Sequence, residues 1–152
     1  MTSSRIRGFT LIELVVVITI LGILAAFAIP RFISLDAQAR SATVTGLAGT
    51  VRSAAALARG MSMATGNTST VTMEGQSVAL VNNYPDASAA GIEKAINLSA
   101  GDFTATPGAA AATGTYVWQR VGATTAATCQ VSYTPPAAAG AAPVITALTA
   151  GC

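Results

Sequence analysis

Residues 5–14 read Arg5-Ile6-Arg7-Gly8-Phe9-Thr10-Leu11-Ile12-Glu13-Leu14. They join a short basic leader to a long apolar run that carries one carboxylate, Glu13. The run from Phe9 to Ile29 is 21 residues. At about 1.5 Å rise per helical residue it spans on the order of 30 Å, the thickness of a bilayer core. Arg5 and Arg7 precede it and Arg31 follows it. The two leader arginines favour a cytoplasmic N-terminus with the rest of the chain outside. A charged side chain costs roughly 2.5–3.5 kcal/mol at the centre of a membrane helix and less near its end. A plain anchor gives no reason to place Glu13 there, so the residue reads as functional, a group that meets a positive partner on another copy of the chain. Two other readings stay open. The carboxylate can snorkel to the interface. The run can also be a cleaved secretory signal, with Ile23-Leu24-Ala25-Ala26-Phe27-Ala28 coming near a small-residue cleavage site, although Glu13 fits such an apolar region badly.

Gly8-Phe9-Thr10-Leu11-Ile12-Glu13 resembles the processing site of type IV pilins and the related pseudopilins. The resemblance implies that a prepilin peptidase in the membrane cuts after Gly8. It implies that the new amine, on Phe9, is methylated and that the apolar segment is kept. It further implies that Glu13 aids docking of an incoming subunit by meeting the Phe9 amine of a neighbour, with the Thr10 hydroxyl as another donor. Gly22 and Pro30 bracket a second informative segment. Glycine weakens a helix by up to about 1 kcal/mol relative to alanine. Proline removes a backbone donor and clashes with the preceding turn, here near Ala26. Within lipid the helix must hold, because unsatisfied backbone is costly there. In resembling pilins the stretch between such positions loses helical structure on assembly. In the isolated subunit a kinked but continuous helix is the expectation.

The 152 residues bound one small domain plus the membrane segment. Apolar residues make up 52% of the chain, but many are alanines or belong to the N-terminal run, and aromatics are only 5%, so the core outside the helix is expected to be thin. The formal charge is +2, and loss of Arg5 and Arg7 with the leader brings it to zero. A near-neutral surface favours self-association. One lysine and scattered arginines form no patch that could neutralise a phosphate backbone, so nucleic acid is not an expected partner. There is no histidine, no metal-type ligand cluster, no nucleophile–base pair and no glycine-rich phosphate loop. An enzyme, a cofactor and a metal are therefore not expected. Cys129 and Cys152 are the only cysteines and lie far from the apolar run. In a small, thin-cored domain outside the membrane they read as a disulfide, with two free buried thiols as the alternative. A bridge would close a loop of about 24 residues and contribute roughly 3 kcal/mol on the loop-entropy model.

Past Pro30 the helical pattern resumes. Asp36 and Arg40 stand at i, i+4. Val44, Leu47, Val51, Ala54, Ala58 and Met61 repeat at three- and four-residue steps as one apolar face. Gly66-Asn67 ends the helix. Thr70–Met73 and Ser77–Val81 read as strands around Glu74-Gly75. Asn82 to Asp86 is a turn, and Asp86 or Ser88 caps a helix expected over Ala89–Asn97. Gly114–Arg120, Cys129–Thr134 and Val144–Leu148 are expected strands, with an alanine- and proline-rich loop over Pro135–Ala142. The sequons at Asn67 and Asn97 arise easily by chance in so Ser/Thr-rich a chain.

The expected fold is α+β: a long N-terminal helix packed on a small antiparallel sheet. The expected divisions are a cleaved leader (1–8), a transmembrane and filament-core helix (9–29), an amphipathic half-helix (30–65), and a head (66–152) with an αβ-loop, the sheet and a disulfide-closed end. This order is similar to the type IVa pilins. Leu80-Val81-Asn82-Asn83-Tyr84-Pro85-Asp86-Ala87, Gly91-Ile92, Val144-Ile145 and Gly151-Cys152 resemble the mannose-sensitive haemagglutinin (MSHA) pilins. The resemblance implies a structural subunit, the major pilin of a type IV pilus used in adhesion or surface interaction. It implies residence in the inner membrane, then polymerisation by the pilus assembly machinery into an extracellular helical filament. A pseudopilin of a type II secretion system shares Gly8, Phe9 and Glu13. Major pseudopilins of that kind carry a calcium-binding C-terminal loop and lack a cysteine pair, so Cys129, Cys152 and the acid-poor tail favour the pilin. A membrane-anchored periplasmic enzyme or binding protein is the third reading, and the missing catalytic groups argue against it.

Overall fold

The computed structural model of the chain describes residues 8–96, 98 and 101–152, apart from the side chains of 30, 32 and 33. Arg5 and Arg7 of the leader, and Asn97 and Ser99 of the second sequon, lie outside the described residues. The fold is α+β. Helix α1 runs Leu11–Thr65. It is followed by β1 (Thr70–Met73), β2 (Gln76–Val81), β3 (Tyr84–Pro85), the single turn α2 (Ile92–Ala95), β4 (Phe103–Thr106), β5 (Tyr116–Arg120), a 3-10 turn (Ala126–Thr128), β6 (Gln130–Thr134) and β7 (Val144–Leu148). Two compact units divide at Asp36 and Ala37.

In the first unit, α1 starts at a cap formed by Thr10 and continues without a break through Gly22 and Pro30. Its apolar side chains, from Leu11 to Phe27, are exposed. The helix is long and apolar enough to cross a membrane. Thr19 returns its hydroxyl to the carbonyls of Val15 and Val16, at 2.7 and 2.9 Å, so this polar group is satisfied within its own helix.

In the second unit the expected apolar stripe is buried, with Val44, Leu47, Ala48, Val51, Ala54, Ala55 and Ala58 all at 8% exposure or less. Met61 packs at its edge. The stripe ends at Ser62, buried because its hydroxyl donates to the Asn67 carbonyl at 2.8 Å and contacts Asn83 Oδ1 at 3.2 Å. Gly66, at φ +70°, closes the helix in the left-handed conformation that glycine adopts without strain.

Where a single sheet was expected there are two, both antiparallel: β1-β2-β3 and β4-β5-β6-β7. Both hairpins of the first sheet use two-residue turns. Glu74-Gly75 and Asn82-Asn83 all have positive φ, the backbone twist that suits adjacent antiparallel strands. The second sheet is a meander from β4 to β7. The expected helix over Ala89–Asn97 shrinks to one turn. Asp86 Oδ1 accepts from Ser88, and Ser88 Oγ accepts from the amides of Ala90 and Gly91, so the capping groups are used on the loop ahead of the helix. Gly91 is pressed against Asp86, and a Cβ there would lie 2.0 Å from Asp86 Oδ1.

The core is better filled than the low aromatic content suggested. Tyr116, Trp118 and Tyr133 are fully buried against the helix stripe, with Ile92, Val131 and Cys129. The rings of Tyr116 and Trp118 lie 4.6 Å apart. Each such side chain stabilises the fold by roughly 1.5–3 kcal/mol through the apolar area it removes from water.

Candidate functional site

The apolar N-terminal segment holds most of the candidate residues. Gly8, Phe9 and Thr10 precede α1, and Phe9 is 82% exposed. Thr10 and Glu13 form a reciprocal cap. The Thr10 backbone N–H and hydroxyl both donate to Glu13 Oε2, at 2.8 and 2.7 Å, and the Glu13 N–H donates to Thr10 Oγ1 at 3.3 Å. A Ser/Thr-x-x-Glu spacing satisfies two of the orphan donors at a helix start in this way. The acid also sits at the positive end of the helix dipole. The Thr10 hydroxyl expected as a donor thus meets Glu13 within one chain, as part of a cap that the spacing of the two residues encodes. Beside it, Phe9, Ile12, Val16 and Val17 line an open apolar hollow of about 360 Å³ that Glu13 borders.

Gly22 and Pro30 both fall inside α1. Among the described residues no atom lies within 4 Å of where a Cβ on Gly22 would point, so no described contact requires glycine there.

In the second unit Cys129 and Cys152 are joined by a disulfide across 23 positions, with Cα atoms 4.9 Å apart. Their surroundings add three ties. Arg40 Nε donates to the Cys152 carbonyl oxygen at 2.6 Å. The Gly151 amide donates to Thr128, and the Gly151 carbonyl accepts from Thr125, both at 3.0 Å. A Cβ on Gly151 would lie 2.1 Å from Thr128 Oγ1 and 2.4 Å from the Thr125 carbonyl, so only glycine fits. The bridge thus stands in a buried corner where the last residues meet the helix and the 125–128 turn.

Two buried tyrosines tie elements of this unit together. Tyr133 donates to the Pro85 carbonyl at 2.6 Å and so links the two sheets. Tyr116 donates to the Glu93 carboxylate and fastens α2 to β5. Burial pushes both hydroxyls well above their usual range, helped at Tyr116 by the Glu93 hydrogen bond and charge and at Tyr133 by Tyr84. Sequence reading singled out neither tyrosine. Among the described residues no group of three His, Cys, Asp or Glu side chains converges as a metal site would.

Comparison with known proteins bears on the N-terminal segment first. Residues 3–29 match the family model of the prokaryotic N-terminal methylation motif. The chain is 57% identical over 54 residues to the type IV narrow pilus major component PilA5 of Thermus thermophilus, covering 36% of this chain and 47% of that protein. It is 58% identical over 38 residues to the type IV major pilin protein PilA of Myxococcus xanthus, covering 25% of this chain and 17% of the relative. It is 52% identical over 42 residues to the type IV major fimbrial protein FimA of Dichelobacter nodosus, covering 28% of this chain and 26% of the relative. The matches thus span less than half the length of each of these curated relatives. No solved structure gives a significant match. The methylation motif and these relatives make the N-terminal part of the chain similar to that of the type IV pilins.

Proposed function

We propose that the chain is the major structural subunit of an extracellular type IV pilus, of the MSHA type, and that the fibre serves adhesion or surface interaction. The observation that carries this reading is an exposed apolar helix that opens on the methylation motif and holds Glu13 in its first turn. Before assembly that helix lies in the inner membrane with the N-terminus cytoplasmic. A prepilin peptidase cuts between Gly8 and Phe9, and the Phe9 amine is methylated.

In the fibre the apolar faces cover one another, which the isolated chain leaves undone. Glu13 has its Oε2 engaged by Thr10, and Oε1 remains for the Phe9 amine of a neighbouring copy. Opposite charges about 4 Å apart in a poorly hydrated core attract far more strongly than in water. The segment between Gly22 and Pro30 unwinds there, since packed neighbours can take over backbone groups that lipid cannot.

Electron microscopy of filaments sheared from cells, with peptide identification, tests the reading. Fibres composed mainly of this chain, beginning at N-methylated Phe9, are expected. A mature N-terminus after Ala28 would instead establish a secretory signal and overturn it.

A further inference from the structure

Most charged side chains of the Ala37–Cys152 unit have a partner within it. Arg59 lies 5.1 Å over the Tyr84 ring and donates to its hydroxyl, Arg120 meets Asp102 at 3.4 Å, Arg40 holds Cys152, and Glu93 holds Tyr116. Arg52, Glu74 and Lys94 stand apart. Arg52 is exposed and reaches the Ile145 carbonyl only at 3.5 Å, the outer limit of a hydrogen bond. Glu74 is exposed and has no hydrogen bond or ion pair among the described residues, although Lys94 borders the same hollow.

Arg52 sits on a cleft of about 270 Å³ whose other walls are Ala55, Ala56, Tyr84, Pro143 and Ile145. It opens beside the outer strands β3 and β7 of the two sheets, and no carboxylate lines it. No acid in the cleft competes with an incoming anion for the guanidinium. Glu74 occupies the first place of the β1–β2 turn at φ +49°, a position where glycine, asparagine or aspartate is the usual choice. Among the described residues no hydrogen bond or ion pair accounts for a glutamate there. A helical polymer needs two different, complementary patches on each subunit, and these two are of opposite sign on a nearly neutral chain.

We propose that the Glu74 turn of one copy seats in the Arg52 cleft of a neighbouring copy, carboxylate on guanidinium. The inference rests on the filament reading above. The test compares Arg52→Glu, Glu74→Arg and the double variant in the full-length chain, measuring sheared filament against mature subunit in the membrane. Opposed like charges at an interface are strongly unfavourable, so each single reversal should lower filament yield about tenfold with the membrane level unchanged, and the double should recover to within about threefold of wild type. Singles that assemble normally, or a double no better than the worse single, overturn the pairing while wild-type fibres leave the polymer reading intact. Wild-type cells without fibres of this chain overturn both. If a reversal also lowers the membrane level, Arg52→Gln and Glu74→Gln replace it. Their losses should then be less than additive when combined, and full additivity overturns the pairing.

Discussion

Thr10 and Glu13 close on each other at the start of the helix, with Glu13 Oε2 receiving both the backbone N–H and the hydroxyl of Thr10 at 2.8 and 2.7 Å. An acid in an apolar helix invites a search for a partner outside the chain. Here its first partner lies three residues back. The cap holds the carboxylate at the helix end, where desolvation costs least and the dipole favours a negative charge. It also leaves Gly8 and Phe9 exposed ahead of the helix.

Replacing Thr10 by valine keeps the shape and leaves Glu13 charged but removes the hydroxyl from the cap. Loss of such a cap costs about 0.5–2 kcal/mol of helix stability. The backbone N–H of Thr10 still holds Glu13 Oε2. Thr10→Val should therefore be inserted and processed, and its filament yield should fall only a few-fold. Quantitative blotting of membrane and sheared fractions checks this. A loss as complete as that of a Glu13 variant would mean that the hydroxyl itself reaches the neighbouring copy.

The Cys129–Cys152 corner should be sensitive to both its bridge and its glycine. Removing a disulfide from a small secreted domain typically costs about 2–5 kcal/mol. Gly151→Ala must displace Thr125 or Thr128 and should cost on the order of 1–3 kcal/mol through overpacking. Thermal unfolding of the detergent-solubilised full chain should rank wild type above Gly151→Ala and Gly151→Ala above Cys129→Ser. Arg40→Ala removes the hydrogen bond to Cys152 without touching the bridge, and should fall within about 1.5 kcal/mol of wild type.

Alkaline pH should loosen the head. Tyr116 and Tyr133 ionise less readily in the fold than in the unfolded chain, where their pKa lies near 10. Their stabilisation is fully present below that value. It is lost as the pH climbs past about 10, because only the unfolded state then gives up the protons. The melting temperature should hold steady from neutral pH to about 9 and fall beyond 10. Tyr133→Phe should start lower, having lost the bond to Pro85, and should fall less steeply.

The long helix, its buried stripe and the Glu74-Gly75 hairpin were legible because each is local: a 3.6-residue period, or two short β-prone runs around a turn pair. Strand β4 was not. Phe103-Thr104-Ala105-Thr106 is four residues between Asp102 and Pro107, too short for its alternation to rise above a loop, and its pairing with β5 is set at long range. The division into two sheets was hidden for the same reason, since it depends on where β3 stops after Pro85. At the N-terminus the Thr10 hydroxyl was legible as a donor to Glu13, but not the reciprocal cap that the two residues form within one chain. The long-range partners of Arg40, Arg52 and Tyr133 carried no sequence signal, because they lie 112, 93 and 48 positions away.

The cap makes Glu13 substitutions more informative than a single loss of assembly. Glu13→Ala removes the charge and the cap together but improves the apolar character of the span, so the subunit should still insert and be cleaved after Gly8. Its fibres should be few or none, since a Phe9 amine entering the fibre core would lie there unpaired, a defect that typically costs about 3–5 kcal/mol when one member of a buried pair is removed. Glu13→Gln retains an oxygen that can accept from Thr10 and removes only the charge. If the carboxylate acts mainly as a cap, Glu13→Gln should assemble like wild type. If it acts mainly on the neighbouring amine, Glu13→Gln should lie close to Glu13→Ala, and the Thr10→Val fibres should far outnumber both. The second order is the expected one. It is read from the ratio of sheared filament to mature membrane subunit for the three variants side by side, with N-terminal mass analysis confirming that each begins at Phe9. Normal fibres from Glu13→Ala would remove the physical reason for treating this helix as an assembly element, and the acid would then be a helix cap and nothing more.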